Sequence, residues 1–215
     1  MSVSAEDPRW RPRIEAVISE LSRGRGTVRP FEAEDAIARL SQFLEILERW
    51  NQRIDLTAAR TPDELVDLFV ADAVLLATTC SEGPERWVDV GSGAGAPAIA
   101  LALLRPGLDL TLVEPKQKRV AFLRSVVGEL ALSSTCVRRA RSSELTDECF
   151  DVACSRATLR PQAWLEEGTR LARSVWVLLA TGPVPELEGY RAVETHDYEW
   201  PLTRAPRRAL RYTAA

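Results

Sequence analysis

The feature that most constrains this chain is a glycine-rich turn between an apolar strand and an apolar helix. The segment reads Val88-Asp89-Val90-Gly91-Ser92-Gly93-Ala94-Gly95-Ala96-Pro97 and is followed by the apolar residues 98–104. Glycine lacks the Cβ atom that keeps a ligand away from the backbone where a strand turns into a helix. The spacing Gly91-x-Gly93-x-x-Ala96 also fits the dinucleotide fingerprint of α/β proteins. Because so short a motif is weak alone, a structural turn without a ligand remains the alternative.

Strand and helix patterns alternate after residue 85. The predicted strands cover residues 87–90, 110–113, 135–138, 151–154 and 175–179, and the predicted helices cover residues 98–104, 118–130 and 161–172. This alternation indicates parallel βαβ units. We therefore predict an α/β fold with a mostly parallel, Rossmann-like sheet and helices on both faces. Such sheets bind ligands at the carboxyl ends of their strands.

The first third of the chain is predicted to be a helical cap on this sheet. Residues 1–29 are expected to be a loosely ordered lead-in, because four residues there interrupt long elements: Pro8, Pro12, Gly24 and Gly26. One helix is expected from Phe31, and a second at Thr61, where Glu64 completes a capping box. We therefore divide the chain into an N-terminal extension and helical cap, residues 1–84, and a core, residues 85–215, within one structural unit.

Composition excludes several classes of protein. A hydrophobic fraction of 46% with 27% charged residues is typical of a globular chain rather than a disordered one. The longest apolar run, residues 94–104, is too short to span a bilayer, and the N-terminus lacks an apolar signal core. His196 is the only histidine, and the four cysteines form no Cys-x-x-Cys pair, which argues against a metal. We expect a cytoplasmic monomer without a metal or a membrane partner.

Arginines cluster at both ends of the chain despite a net charge of −3. The first cluster contains Arg9, Arg11, Arg13, Arg23, Arg25 and Arg29, and the second contains Arg204, Arg207, Arg208 and Arg211. Arginine binds phosphate groups through planar, bidentate contacts, so both clusters are candidate nucleic-acid surfaces. The alternative is that these arginines only solvate the surface.

Two acidic residues near the glycine turn favour S-adenosylmethionine over a nicotinamide dinucleotide, which remains the alternative. Asp89 precedes the first glycine by two residues, where class I methyltransferases usually carry an acid near the amino-acid end of the cofactor. Glu114 ends the next strand, 23 residues after Gly91, where a carboxylate can accept hydrogen bonds from ribose hydroxyls.

The chain resembles the glucose-inhibited division protein B family of small-subunit rRNA guanine-N7 methyltransferases. The matching residues lie between about residues 35 and 182, and they include Trp50-Asn51, Asp55-Leu56-Thr57, Arg60, Pro62, Glu64, Asp72, the segment 89–97, Lys118-Arg119-Val120, Phe122-Leu123, Arg141 and Ser155-Arg156-Ala157. The resemblance implies an S-adenosylmethionine-dependent enzyme that methylates guanine N7 in the 16S rRNA of the small ribosomal subunit.

The resemblance also implies a set of cofactor contacts, which in this chain are Gly91, Gly93, Ala96, Glu114, Ser142, Ser143 and Arg156, with Asp89 nearby. At positions 142 and 143 the family usually has a hydrophobic residue followed by Glu, and Glu144 is a candidate substitute. Methylation of N7 needs no general base, so the catalytic residues stay unassigned. Arg156 and Asp72 are candidates to orient the base, with purely structural roles as the alternative.

The chain departs from the family at polar positions expected on the substrate side. Leu68-Phe69 replace Arg-His, Thr181 replaces Lys, and Ala209 replaces His. Two further hypotheses therefore remain: a methyltransferase redirected to another substrate, and a non-catalytic protein that keeps a cofactor pocket.

Overall fold

The structure is a computed structural model that describes residues 7–23, 33–81, 83–146 and 149–215. Gly24, Arg25, Gly26, Arg29 and Phe31, which enter the predictions above, lie outside these ranges.

A mixed β-sheet forms the centre of the molecule. In the described part of the chain it contains seven strands: β1 Arg86–Val90, β2 Asp109–Val113, β3 Thr135–Arg138, β4 Phe150–Ser155, β5 Ala172–Leu179, β6 Tyr190–Glu199 and β7 Pro206–Ala214. Their spatial order is β3-β2-β1-β4-β5-β7-β6. Strands β1 to β5 are parallel, whereas β7 runs antiparallel to both β5 and β6. The predicted α/β fold is confirmed, and among the strands the sequence patterns missed only the two antiparallel ones.

Helices cover both faces of the sheet. They are α1 Arg11–Ser22, α2 Ala33–Asn51, α3 Pro62–Val66, α4 Asp72–Thr79, α5 Ala98–Leu104, α6 Gln117–Glu129 and α7 Pro161–Leu171. A π-helical segment, Asp67–Ala71, joins α3 to α4 without a break, and a short 3-10 turn spans Ser142–Glu144. Across the described ranges, no helix combines the length and hydrophobicity that a bilayer-spanning segment needs.

The expected loosely ordered lead-in is wrong for residues 11–22, which form helix α1. Pro12 lies in the first turn of α1, where the backbone N–H that proline lacks would have no helical partner. Trp10, Ile14 and Val17 are fully buried, which explains why the segment is ordered. The helix is therefore stabilised by tertiary packing more than by local sequence.

Successive side chains of β1 enter two different cores, because side chains alternate between the faces of a strand. Trp87 joins the larger core, which also contains buried residues of α1, α2, α4, α5 and α6. Val88 and Val90 join the smaller core with Trp164 of α7. The larger core includes residues on both sides of residue 84, so the helical cap and the sheet share one hydrophobic interior.

The strand order reverses between β1 and β4. From β1 the chain continues to β2 and β3 on one side, and it returns to place β4 and β5 on the other. A crevice opens at such a reversal beyond the carboxyl ends of the strands. This geometry directs the glycine turn after β1, and the segment after β4, to the same edge of the sheet.

Candidate active site

The glycine turn is fixed to the end of strand β2. The backbone N–H groups of Gly91 and Ser92 both donate to the carbonyl oxygen of Val113, at 2.8 and 3.1 Å. Gly91, Gly93 and Gly95 all have positive φ angles of 56–85°, a region that side chains disfavour. These hydrogen bonds and backbone angles hold the turn in one conformation.

The three glycines meet different surroundings. A Cβ atom on Gly91 would lie 2.2 Å from Oγ1 of Thr158, and one on Gly95 would lie 2.5 Å from Cγ1 of Ile99. Close packing against Thr158 and Ile99 therefore requires glycine at positions 91 and 95. A Cβ atom on Gly93 would meet nothing closer than 3.7 Å. Gly93 is consequently the position where the backbone lies open to a ligand.

Glu114 connects the glycine turn to the segment after β2. Its Oε2 accepts from the N–H of Gly93 at 2.9 Å, and its Oε1 accepts from the N–H of Lys116 at 2.8 Å. The residue is only 2% exposed, yet it lines the cavity described next. Each carboxylate oxygen has a second lone pair, so Glu114 keeps the capacity to accept hydrogen bonds from ribose hydroxyls.

A cavity of about 480 Å³ lies above the turn, and we call it the cofactor cavity. Five of the predicted cofactor contacts line it: Gly91, Gly93, Ala96, Glu114 and Arg156. Its volume is in the range of small-molecule sites. The cap closes one side with Leu56, Thr57 and Phe69, and Lys116 and Arg119 add positive charge.

Sequence reasoning did not select two groups of cavity residues. Asn51 Oδ1 accepts from the N–H groups of Leu56 and Thr57 at 2.9 and 3.1 Å, which holds this segment against the cavity. The Asn51…Leu56-Thr57 match to the family was the available signal for this group. Arg119, in the first turn of α6, also belongs to a matching motif, but the motif alone does not mark it as a contact.

Ser142 and Ser143 do not line the cofactor cavity in this structure. Both lie in the 3-10 turn, where the carbonyl oxygen of Ser142 accepts from Arg170 Nη2 at 2.8 Å. The candidate substitute, Glu144, accepts from the N–H of Arg141 at 2.7 Å and so serves as a local cap. That Ser142 and Ser143 contact the cofactor stays a prediction.

Asp89 lies beneath the cofactor cavity and does not line it. It is 1% exposed, its Oδ2 has no hydrogen-bond partner, and its Oδ1 lies 3.7 Å from the thiol of Cys154. Burial raises the pKa of Asp89 to about 7, although the nearby Ser92 hydroxyl and Cys154 thiol act in the opposite direction. Burial, and then the charge of Asp89, raise the pKa of Cys154.

Arg156 separates the cofactor cavity from a second one. Its Nη1 donates to the carbonyl oxygen of Leu68 at 3.0 Å and to Oδ2 of Asp72 at 3.3 Å. The second cavity has a volume of about 330 Å³, shares Leu68, Arg156 and Ala157 with the first, and we call it the substrate cavity. Its other walls come from α7, including Trp164, and from the ends of β5, β6 and β7, including Thr181, Tyr198, Trp200 and Arg207.

Asp72 lines the substrate cavity but is engaged by protein donors. The residue is 1% exposed, and its Oδ1 accepts from the Tyr198 hydroxyl at 2.7 Å and from Trp200 Nε1 at 2.8 Å. Together with the ion pair to Arg156, these contacts fix three walls of the cavity. Asp72 thus has a positioning role in this structure, and the predicted contact with a guanine stays a prediction.

The π-helical segment explains how the cap reaches the distant hairpin β6–β7. In a π-helix the hydrogen bonds run from residue i to residue i+5, so residues five positions apart are separated by about one helical turn. Asp67 and Asp72 therefore lie on nearly the same face of the helix. Asp67 accepts from the N–H of Leu202 at 3.2 Å and from the N–H and hydroxyl of Thr203, both at 2.7 Å. Two buried aspartates therefore anchor the hairpin that completes the substrate cavity.

Comparison with known proteins identifies the family. The model of the family described as rRNA small subunit methyltransferase G matches residues 36–182. The chain belongs to this family. A relative from Halorhodospira halophila, named ribosomal RNA small subunit methyltransferase G, is 38% identical over 159 residues, which are 74% of this chain and 72% of that protein. A relative of the same name from Anaeromyxobacter sp. is 30% identical over 207 residues, 90% of this chain and 96% of that protein.

Solved structures of low sequence identity share the fold. A variant of MtNAS in complex with S-adenosylmethionine has a TM-score of 0.55 at 15% identity, with all of both chains covered. The N-terminal domain of human METTL16 in complex with SAH has a TM-score of 0.53 at 15% identity, with 84% of this chain and 83% of that chain covered. The predicted family, the Rossmann-like methyltransferase fold and the enzyme class, a methyltransferase, are confirmed.

The three departures from the family occupy different environments. Phe69 is 1% exposed and packs edge-to-face on Phe43, with ring centroids 5.7 Å apart. Ala209 is fully buried in β7. Thr181 is exposed and lines the substrate cavity, and Leu68, which replaces the arginine of the first departure, lines both cavities. Two of the four polar losses are therefore changes of the packed interior, whereas the other two border the cavities.

Proposed function

We propose that this chain transfers a methyl group from S-adenosylmethionine to guanine N7 of 16S rRNA in the small ribosomal subunit. The observation that carries the proposal is the pair of adjoining cavities that meet at Arg156. A donor in one cavity and an acceptor base in the other would face each other across that boundary. The acceptor and its N7 atom follow from the family to which the chain belongs.

The residues of the cofactor cavity fit S-adenosylmethionine. Gly93 leaves room for a ligand against the backbone, and Glu114 retains lone pairs for ribose hydroxyls. When bound there, S-adenosylmethionine supplies a methyl group on a positively charged sulfur, which a nitrogen lone pair can attack. Because Asp89 is held underneath, it contributes to the shape and charge of the floor and does not line the cavity.

Methyl transfer to guanine N7 requires little from the protein beyond the orientation of the two reactants. Guanine N7 carries a free lone pair at neutral pH, so no side chain has to remove a proton before transfer. The protein must hold N7 in line with the methyl group, and such positioning can lower a barrier by several kcal/mol. Leu68 and Ala157 form walls that both cavities share, and Arg156 fixes the boundary between them.

The electrostatics favour the carboxyl edge of the sheet as the RNA surface over the N-terminal arginine cluster. Arg9 pairs with Asp7 and Glu48, Arg11 with Glu34, and Arg13 with Asp63. These partners neutralise three arginines of that cluster. We further propose that the enzyme acts as a monomer, and that it works in the cytoplasm, where small-subunit rRNA is available.

The test is transfer of labelled methyl from S-adenosylmethionine to separate acceptor pools. We expect label in small-subunit rRNA or subunits from cells that lack the modification, and none in small-molecule extracts. Label in the extracts alone would support a redirected methyltransferase instead. S-adenosylhomocysteine binding without any transfer would support a non-catalytic protein.

A further inference from the structure

Arg156 and the arginines of the C-terminal cluster differ in whether they already have a carboxylate partner. Four are paired: Arg156 with Asp72, Arg204 with Glu20, Arg208 with Asp197 and Arg211 with Glu194. Arg207 has no carboxylate partner among the described residues, and its one hydrogen bond is from Nη1 to the carbonyl oxygen of Pro206 at 2.7 Å. Most of its N–H donors are therefore available to a ligand.

The guanidinium of Arg207 is held in place although it lacks an ion pair. Its central carbon lies 3.5 Å from the ring centroid of Trp200, which is a close cation–π contact. Trp200 is itself fixed, since its Nε1 donates to Asp72 at 2.8 Å. Arg207 is half-buried, and burial lowers its pKa from the usual value, but a guanidinium stays charged at neutral pH.

The walls of the substrate cavity consequently carry an uncompensated positive charge. Arg156 and Arg207 contribute two cations, and Asp72 contributes one carboxylate. Around them the cavity is largely apolar, with Leu68, Trp164 and Val177 among its walls. A fixed, partly desolvated cation with free donors is suited to bind an anionic group.

A third cavity adjoins the substrate cavity at Arg207. Its volume is about 310 Å³, and it shares Leu179, Ala180, Thr181 and Arg207 with the substrate cavity. The cofactor, substrate and third cavities thus adjoin in a row, with Arg156 at the first boundary and Arg207 at the second. In a nucleic-acid strand, one phosphodiester lies between each pair of neighbouring nucleosides.

We propose that Arg207 binds the phosphodiester next to the target guanosine, and that the third cavity receives the neighbouring nucleotide of the RNA strand. This inference rests on the proposed function, because it takes the substrate cavity to hold the target base. Arg207 is then a positioning residue that sets the register of the strand. The target base fills the substrate cavity, and the negative charge of the phosphate compensates the positive charge of Arg207.

The test compares the salt dependence of binding to purified 16S rRNA for four full-length proteins: wild type, Arg207→Ala, Arg207→Lys and Arg173→Ala. Arg173 is the matched control, because it is exposed, has no ion pair within the described residues and lies at the opposite, amino end of β5. Stabilisation by S-adenosylhomocysteine, measured as a shift in melting temperature, verifies that each variant is folded.

We expect Arg207→Ala to lower the slope of log affinity against log salt by about one unit, since one phosphate contact is lost. Arg207→Lys keeps the charge and should keep the slope, while Arg173→Ala should match wild type. In methyl transfer, Arg207→Ala should raise the KM for RNA about tenfold or more with kcat little changed.

An Arg207→Ala slope equal to that of wild type would overturn the inference, even if wild type methylates rRNA normally. An equal loss of slope in Arg173→Ala would also overturn it, because the effect would then reflect net charge alone. A wild-type protein that neither binds nor methylates rRNA would instead refute the proposed function, and the inference with it.

Discussion

Individual residues of the glycine turn serve either packing or ligand access. Gly91 and Gly95 are required because a side chain would overlap Thr158 or Ile99, whereas Gly93 is surrounded by open space. The motif alone could not separate these roles, since it presents three equivalent glycines. The separation depends on which neighbours the rest of the fold brings to each one.

Substitution of Gly93 tests this division of roles. We expect Gly93→Ala to fold with a loss of about 1–2 kcal/mol, because alanine is strained at a φ of 56°. Gly93→Val should abolish the stabilisation by S-adenosylhomocysteine, which at ~100 times Kd amounts to ~2.7 kcal/mol in wild type. Calorimetry measures the affinity of S-adenosylhomocysteine for wild type and for Gly93→Val. As a control, Gly91→Ala should destabilise the fold more than Gly93→Ala, and full affinity in Gly93→Val would place the ligand elsewhere.

Asp89 gives the fold a pH dependence that a single substitution should remove. The pKa of its buried carboxyl is about 7 in the folded protein, above its value in the unfolded chain. The folded state therefore binds more protons between about pH 4 and pH 7, and the contribution of Asp89 to stability is lost as pH rises through this window. The slope is about 1.4 kcal/mol per pH unit for one group.

We expect wild type to lose stability relative to Asp89→Asn between pH 5 and pH 8. Urea unfolding at both pH values measures the difference. Parallel pH profiles for the two proteins would show that Asp89 ionises normally, and would contradict the effect of burial on its carboxyl.

At the scale of the elements, the sequence predicts the parallel strands and the helices between them. It does not predict the elements whose position depends on contacts with distant parts of the chain. The predicted bounds of α5 and β3 match the structure, and the capping box of Thr61 and Glu64 is present. Helix α1 is not predicted because a proline such as Pro12 can either interrupt a helix or lie in its first turn, and the structure shows the second case. Strand β6 was missed because it is a sheet edge with mostly polar, exposed residues, which give little hydrophobic signal.

The π-helical segment is the element on which the substrate cavity depends. No sequence pattern indicated it, because its effect is to aim Asp67 and Asp72 at a hairpin more than a hundred residues away. No sequence pattern indicates the cavity walls Tyr198, Trp200 and Arg207 either, because they reach the cavity only through the position of the β6–β7 hairpin in the fold. The cofactor side was predictable because one continuous segment carries most of it.

Asp67→Ala tests the anchoring of the hairpin. The substitution leaves the N–H groups of Leu202 and Thr203 without their acceptor, so we expect a loss of about 2–4 kcal/mol in unfolding free energy. Amide exchange at residues 202 and 203 should accelerate. Asp197→Ala, which removes only an exposed ion pair with Arg208, is the control and should leave both unchanged. Unchanged exchange in Asp67→Ala would show that other contacts hold the turn.

On the scale of the whole molecule, the site is assembled from segments that span almost the entire described chain. The cap contributes Thr57 and Leu68, the glycine turn contributes Gly93, and the C-terminal hairpin contributes Arg207. The reversal of strand order at β1 and β4 brings these segments to one edge. The shared core of cap and sheet then fixes the two cavities relative to each other.

The most direct test of the account is nucleoside analysis of small-subunit rRNA after incubation with the enzyme and S-adenosylmethionine. The rRNA comes from cells that lack the modification, and mass spectrometry identifies the methylated nucleoside. We expect new N7-methylguanosine with wild type and none with Gly93→Val, in which the cofactor cavity is obstructed. Methyl groups on another base or atom, or rRNA left unmethylated by a protein that binds S-adenosylhomocysteine, would contradict the account.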